Sequence, residues 1–367
     1  PRPAARHRAT PRPASQDRMA QGCLMRRERS LELIDAQSGG DVSRVVTAGI
    51  EPLPGISVLE KARFLEREGD GLRRLLLSEP YGDPAMSVDL LVEPGHPEAQ
   101  AGYIIMEAMG YPLYSGSNTL CVATVLLESG MLPMADGPQQ LVLESPAGLA
   151  RITAVTADGR VESVTTQGEP AYVAERGLSV DVPEYGPVGF DLVWSGAYYA
   201  MIDAAAHGFA LTADEQIALS AFGDAFVRTA RPGLRQEHPS LGDLGPLPFV
   251  HVMGPVEVTA DGRRVSRSAT YVHPGVICRS PTGTGTSARL ALLAGQGEIG
   301  PGDTLETVSP RGNRFIGTLG EAAQVGPFPA WHSRITGSAR LMARSRLTVD
   351  LDDPLVDASD LEALLSG

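Results

Sequence analysis

The sequence predicts an α+β protein built from two similar halves. Three observations carry this. Short β-rich runs separated by turn residues fill most of the chain. A few amphipathic segments read as helices. A Gly- and hydroxyl-rich turn followed by an apolar run occurs twice: Ser115-Gly116-Ser117-Asn118-Thr119 runs on to Gly130, and Thr282-Gly283-Thr284-Gly285-Thr286 runs on to Gly297. The offset is 167 residues without a gap, as expected for one supersecondary unit in each of two domains.

Residues 1–29 carry eight arginines against Asp17 and Glu28, a net of +6, with no apolar periodicity. They read as a disordered basic extension or a misplaced start, with Met19 and Met25 as alternative starts. No apolar core typical of a secretory signal is present in this stretch. Ser43–Gly49 is β-rich. Ser57–Glu68 reads as a helix, with Ser57 and Glu60 at capping-box spacing and Gly69 as its stop. Gln140–Glu144 is again β-rich. Arg151–Val155 and Val161–Thr165 flank Ala157-Asp158-Gly159 as a hairpin. The Pro/Gly/Asp-dense run Val180–Gly189 reads as an inter-domain connection. Ala213–Ala230 reads as a second amphipathic helix. Val256–Thr259 and Val265–Ala269 flank Asp261-Gly262 as another hairpin. The expected organisation is an extension over 1–30, domains over 31–186 and 187–333, and a closing segment over 334–367.

The 367 residues contain 31 Lys+Arg and 44 Asp+Glu, a net charge of −13. With +6 in the leader, the remainder carries −19, which argues against nonspecific binding to nucleic acid or an anionic membrane. Hydrophobic residues make up 43%, enough for sizeable cores. The apolar run Leu120–Leu127 is far too short to span a bilayer. Cys23, Cys121 and Cys278 have no zinc or disulfide spacing, so a reducing, cytoplasmic setting is expected. The seven histidines form no HExxH pair, and no metal site is expected.

Each Gly-rich turn would place free backbone N–H groups at a helix N-terminus, where donors and dipole favour an anion. Two such helices facing each other would clamp one carboxylate and aim Ser115 and Thr282 at a single carbon. Taken singly, either turn is more often a loop with an N-cap. GTGTSA also resembles a dinucleotide fingerprint, but weakly, since no βαβ unit with an acidic residue about twenty positions later follows it. Neither turn has the Gly-Lys-Ser/Thr ending of a P-loop. The paired occurrence raises the catalytic reading.

From about Leu33 to Leu351 the sequence resembles the proline racemase family. Arg279-Ser280-Pro281-Thr282-Gly283-Thr284-Gly285-Thr286-Ser287-Ala288 looks like the family's second active-site motif, and Ser115-Gly116-Ser117-Asn118 like its first. Arg44–Thr47, Glu144–Leu149, Gly196–Ala200 and Gln236–Pro239 add support. The resemblance implies two domains of the proline racemase and diaminopimelate epimerase type, each a mixed sheet or barrel around a helix. The active site would lie in the cleft between them. It implies no cofactor, a small amino or imino acid as partner, and a homodimer. Carried over by position, Ser115 and Thr282 would be catalytic. Gly116, Ser117, Asn118, Cys278, Gly283 and Thr284 would bind substrate.

The departures bear on the reaction. Family racemases use two cysteines, which Ser115 and Thr282 replace here. Thiols have pKa about 8.5, and alcohols are far weaker acids. Inversion needs an acid and a base of similar strength on opposite faces, whereas dehydration needs one base. Thr at the second position also matches the family's dehydratases. The expectation is therefore dehydration of trans-3-hydroxy-L-proline to a pyrroline-2-carboxylate. 4-Hydroxyproline 2-epimerase or a proline racemase-like activity stands second, and a non-catalytic amino-acid-binding paralogue third. Cys278 replaces the usual Asp that pairs with the substrate nitrogen. It is either a thiolate near the α-carbon or part of a pocket altered for another substrate, and the second is favoured. Cys121 reads as a core cysteine. Arg311 and Arg314 read as solvated surface residues, with contact to a second substrate carboxylate as the alternative.

Overall fold

The structure, a computed structural model, describes residues 27–366. Most of the expected basic extension, with Cys23, therefore lies outside the described residues. A strand already begins at Glu28.

Among the described residues there are five α-helices: α1 (Val58–Glu68), α2 (Gly71–Leu76), α3 (Gly116–Glu128), α4 (Gln216–Ala230) and α5 (Gly283–Gln296). Seventeen strands form one hydrogen-bonded network that curls round two of these helices. In the first half, Glu28–Ser38, Asp41–Ala48, Ser87–Val92, Ala101–Met106, Gly137–Ser145, Gly148–Ala157 and Arg160–Gln167 pair in series, mixing antiparallel and parallel ladders. Ile34, Val45, Tyr103, Leu141, Ile152 and Val164 turn inward onto Leu120 and Val125 of α3. Every residue from Gly116 to Leu127 is buried. An all-round apolar helix is stable only inside such a wrap.

The second half repeats the plan. Its strands run from Ala171–Val182 to Phe328–Gly337, and pairing between these two closes the ring. α5 fills the interior, with Ala288, Ala291 and Leu292 against Val193, Tyr199 and Met201, and Leu290 and Leu293 against Leu305 and Leu319. α4 packs outside this sheet through Leu219, Phe222 and Phe226, while α1 and α2 pack outside the first through Val58, Leu65, Leu72 and Leu76. The last strand, Ala339–Asp350, returns to the first half and runs antiparallel along Glu28–Ser38.

Ser57 caps α1 by accepting from the Glu60 N–H. The Glu60 carboxylate reaches back to the Ile56 N–H instead of closing a full capping box on Ser57. Gly69 ends the helix, its N–H bonded to the Leu65 carbonyl. The Ala157–Arg160 turn has Asp158 and Gly159 at φ 51° and 72°, the two positive values that a two-residue hairpin with the right twist requires. The second hairpin forms with a bulge between Met253 and Val256. One local reading is corrected. The run 180–189 is a tight hairpin, with Val182 opposite Gly186, and not a connection between domains. Val182, Val188 and Phe190 alternate inward onto the core that holds Phe226, so both strands belong to one packed body.

Asp89 is fully buried beneath α3. Its Oδ2 accepts from Ser43 Oγ, while its Oδ1 has no partner. Burial pushes its carboxyl up to about 8. The folded state therefore disfavours the ionised form, and stability is lost as pH rises from the unfolded carboxylate range, near 4, through 8. Asp89→Asn removes that dependence. Its melting temperature relative to the parent should climb steadily from pH 4 to pH 8 and then level off. The span is on the order of a few kcal/mol. A constant offset across that range, measured by thermal unfolding, would contradict the assignment.

Candidate active site

α3 and α5 meet head to head. A Cβ placed on Gly283 would lie 3.0 Å from the Gly116 Cα, and one on Gly116 would lie 3.1 Å from the Gly283 Cα. Only two glycines at these first helical positions let the backbones approach so closely. The first-turn N–H groups of Gly116, Ser117, Gly283 and Thr284 have no acceptor within their own helices, so both positive helix ends converge.

The two N-cap residues differ. Ser115 is extended (φ −146°, ψ 126°), and its Oγ accepts a long bond from the Asn118 N–H at 3.5 Å. It also lies 3.3 Å from Ser117 Oγ. Thr282 sits at φ 66°, ψ 113° and makes no side-chain cap. A positive φ is a genuine outlier for a β-branched residue and marks a strained, over-determined position. Its Oγ1 is buried without a hydrogen bond. The Cys278 thiol lies close enough for Thr282 to favour its ionised form slightly. The strain is held from below: Thr282 N–H donates to Ser280 Oγ at 3.1 Å, and the Thr282 carbonyl accepts from Thr286 N–H and Oγ1.

Ser115, Ser117, Cys278, Thr282 and Thr284 line one small cleft, together with Tyr114, Tyr199, Asp41 and Glu107. Thr284 keeps its backbone N–H for the cleft, but its hydroxyl is bonded to Tyr199 OH at 2.5 Å and its carbonyl accepts from Ser195 Oγ at 2.7 Å. The segment 195–199 thereby fastens the start of α5. Asn118 is 2% exposed, and its Nδ2 donates to Glu107 Oε1 at 3.2 Å. The sequence places Asn118 on the substrate; in the structure its side chain is held by Glu107, itself a residue of the cleft. Arg311 donates to Gln216 and Arg314 pairs with Glu306, both away from the cleft. Cys121 is buried in the core around α3. Burial, then Asp41, push the Cys278 thiol well up, so at neutral pH it is a thiol and not a thiolate. A larger cavity nearby, lined by Trp194, Gln236 and Leu244, shares Pro112 with the cleft but holds neither Ser115 nor Thr282.

The sequence gives no warning of Asp41 or Glu107. Asp41 follows Gly39-Gly40 and passes for a turn residue. In the structure its Oδ1 accepts from the Arg279 N–H at 2.6 Å and ties the first hairpin to the turn before α5. Burial raises its pKa. Glu107 follows the apolar strand Ala101–Met106 and belongs to no motif. Burial pushes it up to about 7, and Asp41 adds to the rise. No Lys, Arg or His is among the described residues lining the cleft, although the Arg279 charge lies close enough to act on Asp41. No cluster of three His, Cys, Asp or Glu suited to a metal ion occurs among the described residues.

Two sheet-wrapped helices abutting at their N-termini, with a small cleft between, place the chain in the two-domain fold class of the proline racemase type. Residues 33–358 match the family described as proline racemase. The chain belongs to the proline racemase family. A protein of Chromohalobacter salexigens is 53% identical over 343 residues, 94% of this chain and 95% of its own length. A 4-hydroxyproline 2-epimerase of Agrobacterium fabrum is 35% identical over 335 residues, 91% of this chain and 96% of that protein. The crystal structure of a hydroxyproline epimerase from Agrobacterium vitis with bound trans-4-hydroxy-L-proline superposes with a TM-score of 0.84 at 31% identity, covering 89% and 93% of the two chains.

Proposed function

We propose that the protein carries out proton chemistry at the α-carbon of a small amino or imino acid bound between α3 and α5. The leading reaction is dehydration of trans-3-hydroxy-L-proline to a pyrroline-2-carboxylate. The observation that carries this reading is the inequivalence of the two caps. Inversion needs matched acid–base groups on opposite faces of the carbon. Here one face presents a hydroxyl loosely tied to its own helix, and the other presents a strained one with no partner. Elimination requires proton removal on one face and a donor for the departing hydroxyl. The converging N–H groups suit the substrate carboxylate and would stabilise negative charge passing into it. The 4-hydroxyproline 2-epimerase reading is favoured by the relatives that bear that name.

Proton NMR in D2O with 3- and 4-hydroxyprolines and both prolines separates the readings. Dehydration is expected to replace the 3-hydroxyproline signals with those of a pyrroline. α-Deuteration of 4-hydroxyproline with a new diastereomer would establish the epimerase instead. An unchanged panel would overturn both substrate assignments.

A further inference from the structure

Removing an α-proton needs a base with a free lone pair, within the cleft, and ionised near neutrality. Ser115 and Thr282 are alcohols, too weakly acidic to act unaided. Tyr114 OH is bonded to Thr166 and Tyr199 OH to Thr284, and burial pushes both phenols up. Cys278 is held as a thiol. Asp41 is committed to the Arg279 N–H.

Glu107 differs from all of these. Ser87 Oγ and Asn118 Nδ2 both donate to its Oε1, at 3.1 and 3.2 Å. Two donors on one oxygen fix the carboxylate plane, and Oε2 has no hydrogen-bond partner among the described residues. The second of those donors sits on the first turn of α3, where a substrate carboxylate would lie, so the carboxyl is one side chain away from the anion site. Arg73 Nη1 donates to the Glu107 backbone carbonyl and not to its carboxylate, so no cation neutralises the group.

We propose that Glu107, through Oε2, is the base that takes the α-proton; the inference rests on the α-proton chemistry proposed above. In the step, the Cα–H bond breaks and an O–H bond forms on Oε2. The electron pair passes into the substrate carboxylate, whose charge the α3 and α5 N–H groups bear. It then returns either to form the Cα–Cβ double bond as the β-hydroxyl leaves, taking a proton from solvent to depart as water, or to form a new Cα–H bond with a proton from solvent. Glu107 afterwards releases its proton to solvent. Asp41 and Asp89 on the neighbouring strands, with Cys278 and Tyr199 across the cleft, are the titratable groups that share its field. An ionised Asp41 holds Glu107 proton-hungry.

The rate of α-proton removal, read in D2O as deuterium exchange or as pyrroline formation, should rise through pH 7 in the wild type. Glu107→Gln should lower it at least 100-fold and remove that pH limb, while Glu107→Asp should retain the limb at reduced rate. Infrared difference titration of the same proteins supplies a readout independent of substrate: one carboxyl band, separate from those of the buried Asp41 and Asp89, should vanish near pH 7 in the wild type and be missing from Glu107→Gln. α-Proton removal in Glu107→Gln within tenfold of the wild-type rate would overturn the proposal. So would a wild-type titration lacking that band. Should no α-proton of the panel be exchanged or lost in the wild type, the substrate class falls, and a wild-type titration without the Glu107 band overturns the base as well.

Discussion

Gly283→Ala is expected to lower turnover on the order of tenfold or more with little change in folding, because a displacement of 1 Å in a catalytic constellation costs about 100-fold and this contact forces a smaller one. The new Cβ would meet the Gly116 Cα at 3.0 Å, and neither partner is a flexible side-chain end that can swing aside. The backbones of α3 and α5 would have to part by a few tenths of an ångström or more. The converging N–H groups and both caps would part with them. Alanine is otherwise a better helix residue than glycine, which offsets some of the packing cost. Gly116→Ala attacks the same contact from the other side, at 3.1 Å. The two changes should therefore be strongly non-additive, since the first already separates the helices. Steady-state turnover and thermal unfolding of the three variants check this. Wild-type turnover in either single variant would show that the glycine contact does not set the geometry of the site.

Thr282→Gly is expected to abolish most activity while leaving the protein at least as stable as the parent. The residue holds a positive φ of 66°, and its hydroxyl is buried beside the Cys278 thiol. Such backbone strain costs about 1–3 kcal/mol. Glycine relieves it, against a backbone-entropy cost of about 0.5–1 kcal/mol. The net is a gain of roughly 1 kcal/mol. Loss of a proton-transferring group costs about 10²–10⁴-fold in rate. Thr282→Ser keeps the hydroxyl and should keep most of the turnover. A destabilised Thr282→Gly, or one that turns over normally, would mean that the strained hydroxyl serves packing and not chemistry. The trade of stability for reactivity at one residue is what a functional strain predicts.

The family relationship bears on both experiments. The relatives named as hydroxyproline epimerases share the fold over nearly the whole chain at 33–35% identity. The cleft of this protein departs from a two-thiol design at both caps and places its thiol at Cys278. The chemistry must therefore be established with this chain's own variants and not carried over from a name.

The sequence by itself determined the features that depend on neighbours within about a dozen residues. The two cap-and-helix units at an offset of 167 are there as α3 and α5, because a hydroxyl residue and glycines before an apolar run define a helix start locally. The Asp158-Gly159 hairpin and the Ser57 cap are equally local. Long ordered motifs gave the family. The tertiary structure decided the rest. The 180–189 run has a linker's composition, yet it turns back on itself because Val182 and Phe190 share a core with Phe226, a residue of α4 far along the chain. The hydrogen bond between Asn118 and Glu107 joins residues of different elements and has no sequence signal. Asp41 and Glu107 are ordinary acids in the sequence. Only packing strips water from them, sets one beside the other, and raises their pKa values, because desolvation and charge proximity belong to the assembled fold and leave no local pattern.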